Sequence, residues 1–306
     1  MLTYRIELHV PSGFITPWHA DTLFGHLCWG AERSDGFTNF NGAAGLIDLF
    51  RSGEPPFILS DGFPAGLLPA PITLKSRLAP ETADNLDEKN YNTMKKAKKR
   101  EFLTIAQFQA FQRGEIPDIG DDTKGFIPAT TLHNQISRFT NTTGNGGSLF
   151  ELDEQFAPHE GKIHFYAKIR EGFEDDLRRL FDVVASSGFG KKKSSGKGSF
   201  SVERFERFDG LDSVSGAKGF ISLSHFVPAK SDPIDGSYKT MIKYGKLGEE
   251  KNFCGNPFKK PLIMLKPGAV FKVQEVRPYY GRLIEKIAFA DPDVVQYAFA
   301  FPVPCL

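Results

Sequence analysis

Three observations predict an α+β fold for this 306-residue chain. Residues 3–10 (TYRIELHV) alternate Tyr4, Ile6, Leu8 and Val10 with polar neighbours, the period of a strand with one buried face. Ala20, Leu23, Phe24, Leu27, Cys28 and Ala31 then recur at helical spacing and form one apolar stripe. Later, residues 162–208 run strand, helix, glycine-rich loop, strand. This order suggests ferredoxin-like (RRM-like) units, sheets with helices on one face, and the faint echo of the first strand in residues 220–227 allows two of them. The first unit spans 1–210, with an insertion over about 79–150 and a glycine-rich loop at 186–200; the second, mostly β, spans 211–306.

The individual elements follow from local signals. Thr16-Pro17 reads as an N-cap with proline at the first helical position, so the first helix is expected to begin there. A short helix is expected at 45–51, and the Gly/Pro-rich stretch 53–71 reads as short extended pieces joined by turns. Residues 79–99 are polar with little periodicity and suit an inserted arm. Thr131 to Phe150 begins like a polar strand and passes into a Gly/Asn-rich turn, which suits a projecting loop. Residues 162–170 alternate as a strand, and Phe173, Leu177, Leu180, Phe181 and Val184 mark a second amphipathic helix that stops at Ser187-Gly188. Further strands are expected at 199–208, 220–227, 261–265, 269–273 and 294–299.

Composition narrows the function classes. At 40% hydrophobic, the chain has the apolar material for a sizeable core. No apolar run reaches the roughly 20 residues of a membrane span, and the start lacks a signal peptide's pattern, so no membrane and a cytoplasmic location are expected. Cys28, Cys254 and Cys305 are odd in number and far apart, arguing against disulfides or a CxxC zinc site. The net charge of +1 conceals clusters: Lys95, Lys96, Lys98, Lys99 and Arg100 form one, and Lys191, Lys192, Lys193 and Lys197 another. A lysine run can also be merely a solvated face.

The stretch 186–200, SSGFGKKKSSGKGSF, carries the most chemistry. Glycines let a backbone approach phosphate closely, lysines add charge, and Ser194 or Ser195 adds a hydroxyl. Phosphate contacts are therefore expected from Lys191, Lys192, Lys193 and Lys197, with backbone donors from Gly188, Gly190, Gly196 and Gly198. Phe189 is a candidate for stacking on a base. A flexible soluble linker has the same composition. A Walker A loop is excluded: six positions separate Gly190 from Gly196, Gly198 stands where Ser or Thr is required, and the loop runs from helix to strand. Lys193 likewise breaks the dinucleotide pattern.

No compact carboxylate or H-E-x-x-H cluster suits a metal nuclease, and no G-x-S-x-G suits a serine hydrolase, so neither a catalytic group, a metal nor a cofactor is expected. His19 with Asp21, or His133 with Arg138, could serve metal-free acid–base chemistry, and could equally be structural or donate to RNA.

Four segments resemble the RAMP proteins of CRISPR systems, most specifically the family of the fourth subunit of the type III-A (Csm) effector, in the Cas group-five lineage. These are Thr16-Pro17 with the A-D-T-L-F-G run 20–25, Pro56-Phe57 with S-D-G-F-P at 60–64, the glycine loop, and N-P-F-K-K-P at 256–261 with K-P-G-A-V-F at 266–271. The resemblance implies paired ferredoxin-like units and a hetero-oligomer. It also implies a non-catalytic role holding the 5′ tag of the crRNA, with the large polymerase-bearing subunit and a backbone RAMP subunit as partners. By the same resemblance, His133, Asn134 and Arg138 lie where such proteins contact RNA beside a protruding arm; His19, at the start of the first helix, could approach RNA from the opposite side, helped by the positive end of that helix, or be structural. The alternative is a processing endoribonuclease of the same superfamily, using His19, His26 or His133 as proton carrier.

Overall fold

The computed structural model describes residues 1–77, 99–118, 120, 123–134, 136–143, 149–212, 214–248, 250, 251, 255–289 and 291–306. Its strands are β1 (Leu2–His9), β2 (Phe57–Leu59), β3 (Phe63–Pro64), β4 (Leu67–Pro69), β5 (Phe102–Thr104), β6 (Ile127–Asn134), β7 (Leu149–Phe156), β8 (Lys162–Ile169), β9 (Ser201–Arg207), β10 (Gly219–Ser222), β11 (Gly236–Ser237), β12 (Thr240–Lys243), β13 (Leu262–Leu265), β14 (Val270–Lys272), β15 (Tyr280–Ile284), β16 (Gln296–Ala300) and β17 (Pro302–Cys305). The helices of at least two turns are α1 (Ala20–Arg33), α2 (Gly42–Arg51), α3 (Ile105–Gln112) and α4 (Glu174–Ser187).

The alternation read in residues 3–10 places β1 at the middle of an antiparallel sheet ordered β2-β8-β1-β9, with Ile6 opposite both Phe165 and Phe205. Ile6 and Leu8 are fully buried, as are Leu23 and Leu27 of α1 and Leu177, Leu180 and Phe181 of α4. These residues share one core, so the two apolar helical stripes cover the sheet as the spacing predicts. The architecture is α+β, with several smaller antiparallel sheets beside the main one.

Beyond residue 210, β10 lies between β14 and β17 in a sheet ordered β11-β14-β10-β17. The second half continues the first core: Tyr297 and Phe299 of β16, Phe301, and Val303 of β17 belong to it, and the Leu59 N–H donates to the Tyr297 hydroxyl at 2.8 Å.

Several expectations are corrected. Helix α1 begins at Ala20 with His19 as N-cap, because the carboxylate of Asp61 accepts the Ala20 N–H at 2.8 Å and supplies the cap that Thr16 does not. Residues 102–112, inside the expected insertion, are β5 and α3, and Leu103, Phe108 and Phe111 sit fully buried in the core. A Thr104–Gln107 capping box starts α3. Arg100 of the first basic cluster is buried, donating to the Gly120 carbonyl at 2.6 Å. Lys95, Lys96, Lys98, Cys254, most of the expected 79–99 arm and the turn at 144–148 lie outside the described residues. The strand expected over 220–227 ends at Ser222, with Phe226 making only an isolated bridge to Leu265.

Candidate nucleic-acid interface

The glycine loop follows directly from the C-terminus of α4. Gly188 ends the helix at φ 75°, and Phe189 turns inward to stack on Trp18, with ring centroids 4.0 Å apart and planes 9° from parallel. Phe189 is buried, which removes it as a base-stacking candidate. The loop closes on itself through Phe189 N–H donating to Gly198 O at 2.9 Å. A Cβ on Gly198 would lie 2.1 Å from the Phe189 carbonyl oxygen, so only glycine fits this closure.

The four glycine N–H groups do not face outward as expected. Gly188 donates to Val184 O, Gly196 to Lys193 O and Gly198 to Gly13 O, while Gly190 donates to His26 Nε2 at 3.1 Å. Thr16 Oγ1 accepts the Lys191 N–H at 3.0 Å. The glycines thus shape and anchor the loop, and its side chains are left to meet a ligand.

Those side chains divide. Lys191, Lys192, Ser194 and Ser195 are exposed. Lys193, the first residue of the 3₁₀ turn that follows positive-φ Lys192, is half-buried. Lys197 instead pairs at 2.5 Å with Glu154, whose side chain is fully buried. Burial pushes the Glu154 carboxyl up, but hydrogen bonds from Lys197 and Thr131 outweigh it and hold it below its ordinary value. Lys197 is therefore a poor phosphate ligand, its charge being already matched.

Glu154 joins the loop to a projecting ribbon. Strands β6 and β7 pair along their full eight-residue lengths, Ile127 with Phe156 through Asn134 with Leu149, and most of their side chains are exposed. The ribbon is rooted by Phe14–Gln155 backbone bonds of 2.8 Å in both directions. Its outer end carries His133 stacked on Phe150, with ring centroids 5.6 Å apart, and the Lys192 ammonium lies 5.7 Å from the Phe150 centroid. Exposed Asn134 and Arg138 continue the ribbon, and Phe139 at its end has its whole surface in solvent. The exposed loop residue Lys192 thus meets the His133–Phe150 ring pair, with exposed Arg138 further along the ribbon, a composition that suits a single-stranded polyanion.

His19 stands apart from this surface. It lies beside His225, ring centroids 4.2 Å apart, while His225 Nδ1 and Asp61 Oδ2 are 2.5 Å apart. His19, Asp61 and His225 are the group with metal-ligand proximity among the described residues. The Lys243 ammonium, however, donates to His19 Nδ1 at 3.2 Å and to Asp21 at 2.7 Å, so a cation already occupies this corner. Burial pushes the His19 pKa down to about 4, against the pull of Asp61. Asp21 answers to Lys243 and Gln296, not to His19 as an acid–base partner.

The structure thus joins the glycine loop to His133 through Phe150, places Asn134 and Arg138 on the same ribbon, and leaves His19 in a largely enclosed network with Asp61, His225 and Lys243. Sequence reading missed Phe150, Glu154, Asp61, His225 and Lys243. Phe150 follows a Gly/Asn turn, which is a legible signal for a hairpin partner of His133; the contacts of the other four depend on segments far apart in the chain.

No family model matches the sequence. Across its length, the chain has the fold seen in subunits of a CRISPR-Cas interference complex. It aligns at a TM-score of 0.66 and 16% identity, covering 99% of this chain and 98% of the other, with a chain of a crystal structure of the Csm1-Csm4 cassette in complex with pppApA. A chain of a Csm3-Csm4 subcomplex in the type III-A CRISPR-Cas interference complex aligns at a TM-score of 0.58 and 14% identity, over 100% of both chains. The particular likeness is to Csm4: the CRISPR system Cms protein Csm4 of Thermococcus onnurineus (strain NA1) is 24% identical over 220 residues, 69% of this chain and 70% of that one. These findings bear out the RAMP, type III-A family resemblance read from the sequence.

Proposed function

We propose that this chain is the RNA-binding subunit of a type III-A (Csm) CRISPR complex. In that role it holds the 5′ tag of the crRNA and joins the large polymerase-bearing subunit to the backbone in antiviral defence. The observation that carries this reading is likeness to Csm4 over almost the entire chain, in structures described as Csm1-Csm4 and Csm3-Csm4 assemblies. The main sheet, ordered β2-β8-β1-β9 with α1 after β1 and α4 after β8, supports a ferredoxin-like unit at 1–210, with 211–306 as a second, mostly β unit. The absence of a long apolar helix among the described residues agrees with a protein that does not cross a membrane by helices.

Lys191 and Lys192 neutralise backbone phosphates, and the His133–Phe150 pair offers a flat surface to a base. Lys193, Ser194, Ser195 and Arg138 add contacts at the margins. His19 contributes by fixing α1, not by touching RNA.

The endoribonuclease alternative has three candidate proton carriers, and each is engaged otherwise. His26 accepts from the Gly190 N–H, His133 Nε2 shares a 3.1 Å hydrogen bond with Thr131, and His19 stays neutral far below pH 7.

Binding of a labelled RNA with the repeat-derived 5′ tag, against a scrambled tag, with and without the large subunit, tests this reading when followed by a denaturing gel. Tag-dependent binding with intact RNA supports it. RNA shortened at a defined site, with cleavage lost in His133→Ala, replaces it with the nuclease.

A further inference from the structure

The ribbon formed by β12 and β13 has an apolar outer face. In its register Ile242 stands opposite Ile263, and Met241 opposite Met264. Period-2 alternation sends Met264 into the core and leaves Ile242 54% and Ile263 63% exposed. Tyr244, two residues on from Ile242, is 72% exposed, and Phe258, bridged to Lys246 across the ribbon, is 55% exposed. Four large apolar side chains therefore lie in one continuous stripe along a two-stranded ribbon.

The ribbon is held rigidly from behind. Lys243, between Ile242 and Tyr244, points the opposite way and donates to Asp21, Thr22 and His19 at the start of α1. Lys259, beside Phe258, donates inward to Gln296 Oε1 at 2.8 Å, and Gln296 donates on to Asp21. The enclosed network around His19 thus acts as the mount of this ribbon.

Charge defines what fits the stripe. Residues 238–248 and 255–268 contain six lysines and no Asp or Glu. With Lys243 and Lys259 turned inward, Lys239, Lys246, Lys260 and Lys266 remain exposed around the stripe. An aliphatic Ile–Ile centre gains little from the polar edges and phosphates of RNA, whereas it complements apolar side chains of a folded protein.

We propose that the β12–β13 face is a protein-docking surface whose occupant is another subunit of the complex, one presenting an apolar patch ringed by carboxylates. This rests on the complex-subunit reading above and adds where a protein partner is met. It separates the molecule into an RNA face at the glycine loop and a protein face at this ribbon.

The test uses the full chain with Ile242→Glu and Ile263→Glu, and separately the milder Ile242→Ser and Ile263→Ser pair. Binding to the purified large subunit and to the backbone subunit, and to tag RNA, is measured alongside hydrogen exchange over 240–247 and 257–265. The expected result is at least tenfold weaker binding of one protein subunit for both variants, unchanged RNA affinity and thermal midpoint, and slowed exchange in the complex with that subunit. Unchanged binding of both subunits overturns the proposal. So does protection that appears with RNA alone, or concentration-dependent protection in the isolated chain, which would make the occupant RNA or a second copy. If the unaltered chain binds neither subunit, the complex-subunit reading itself fails and this inference with it; if it binds a subunit and the variants bind as well, only the docking site is wrong.

Discussion

The glycine-loop surface and the network around His19 are built from the same residue types and have opposite electrostatic fates. At the loop, Lys191 and Lys192 stand in water with no carboxylate bonded to either ammonium among the described contacts, beside a ring pair that is also open. Around His19, Lys243 is matched to Asp21, and His225 to Asp61, within a mostly buried contact between α1 and the second half of the chain. Lysine and histidine therefore stay available to a ligand where solvent reaches them and serve as fixtures where it does not. Lys197 shows the division within a single motif, lying five residues from Lys192 yet spent on Glu154.

Replacing the carboxylate at the centre of the buried network should have the largest effect. Asp61→Ala removes the partner of His225 and the cap of α1 together, and about 3–5 kcal/mol of stability is expected to be lost in urea unfolding. A loss below about 1 kcal/mol would show that the network is a surface feature after all.

Acid should discriminate the two regions next. The folded His19 pKa of about 4 lies below its ordinary 6.5, so between these values the unfolded chain takes up a proton that the folded chain refuses. Stability from this group is complete above pH 6.5 and falls by up to about 3 kcal/mol as pH drops towards 4. Asp61, held below its ordinary value because His225 outweighs the effect of burial, adds a loss of the same sign at lower pH. His19→Gln should flatten the part of the urea-midpoint profile between pH 4 and 6.5.

Lys197→Ala should behave as a core substitution despite its place in a lysine run. Leaving buried Glu154 with Thr131 as its remaining hydroxyl donor is expected to cost about 2–3 kcal/mol, with little change in the salt dependence of RNA binding. A drop in salt slope without loss of stability would return Lys197 to the phosphate-binding set.

The smallest effect on stability belongs to Lys191→Ala with Lys192→Ala, within about 0.5 kcal/mol. The same pair should lower the log–log salt slope of RNA binding by about 1.4, at about 0.7 per single-strand phosphate contact. An unchanged slope in a salt titration would remove this face from the interface.

Much of the architecture was legible because it is local. The period-2 pattern of Tyr4 to Val10 and the helical stripe from Ala20 to Ala31 are each set by backbone geometry, which makes side-chain direction a function of spacing alone. The segments carrying the resemblance were legible in the same way, as short runs of particular residues. The start of α1 was misread because its cap comes from Asp61, 41 residues away. The glycine N–H groups were misread because their acceptors lie at Gly13, His26 and Val184, and at Lys193 within the loop itself.

The sequence by itself determined which residues could be strands, helices and a tight glycine turn, since those choices depend on sterics and periodicity within a few residues. Only the tertiary structure decided which of the charged and aromatic groups face water. Desolvation and pairing are set by whatever chain arrives from elsewhere, and so Lys192 is open, Lys197 is neutralised, Phe189 is core and Ile242 is surface.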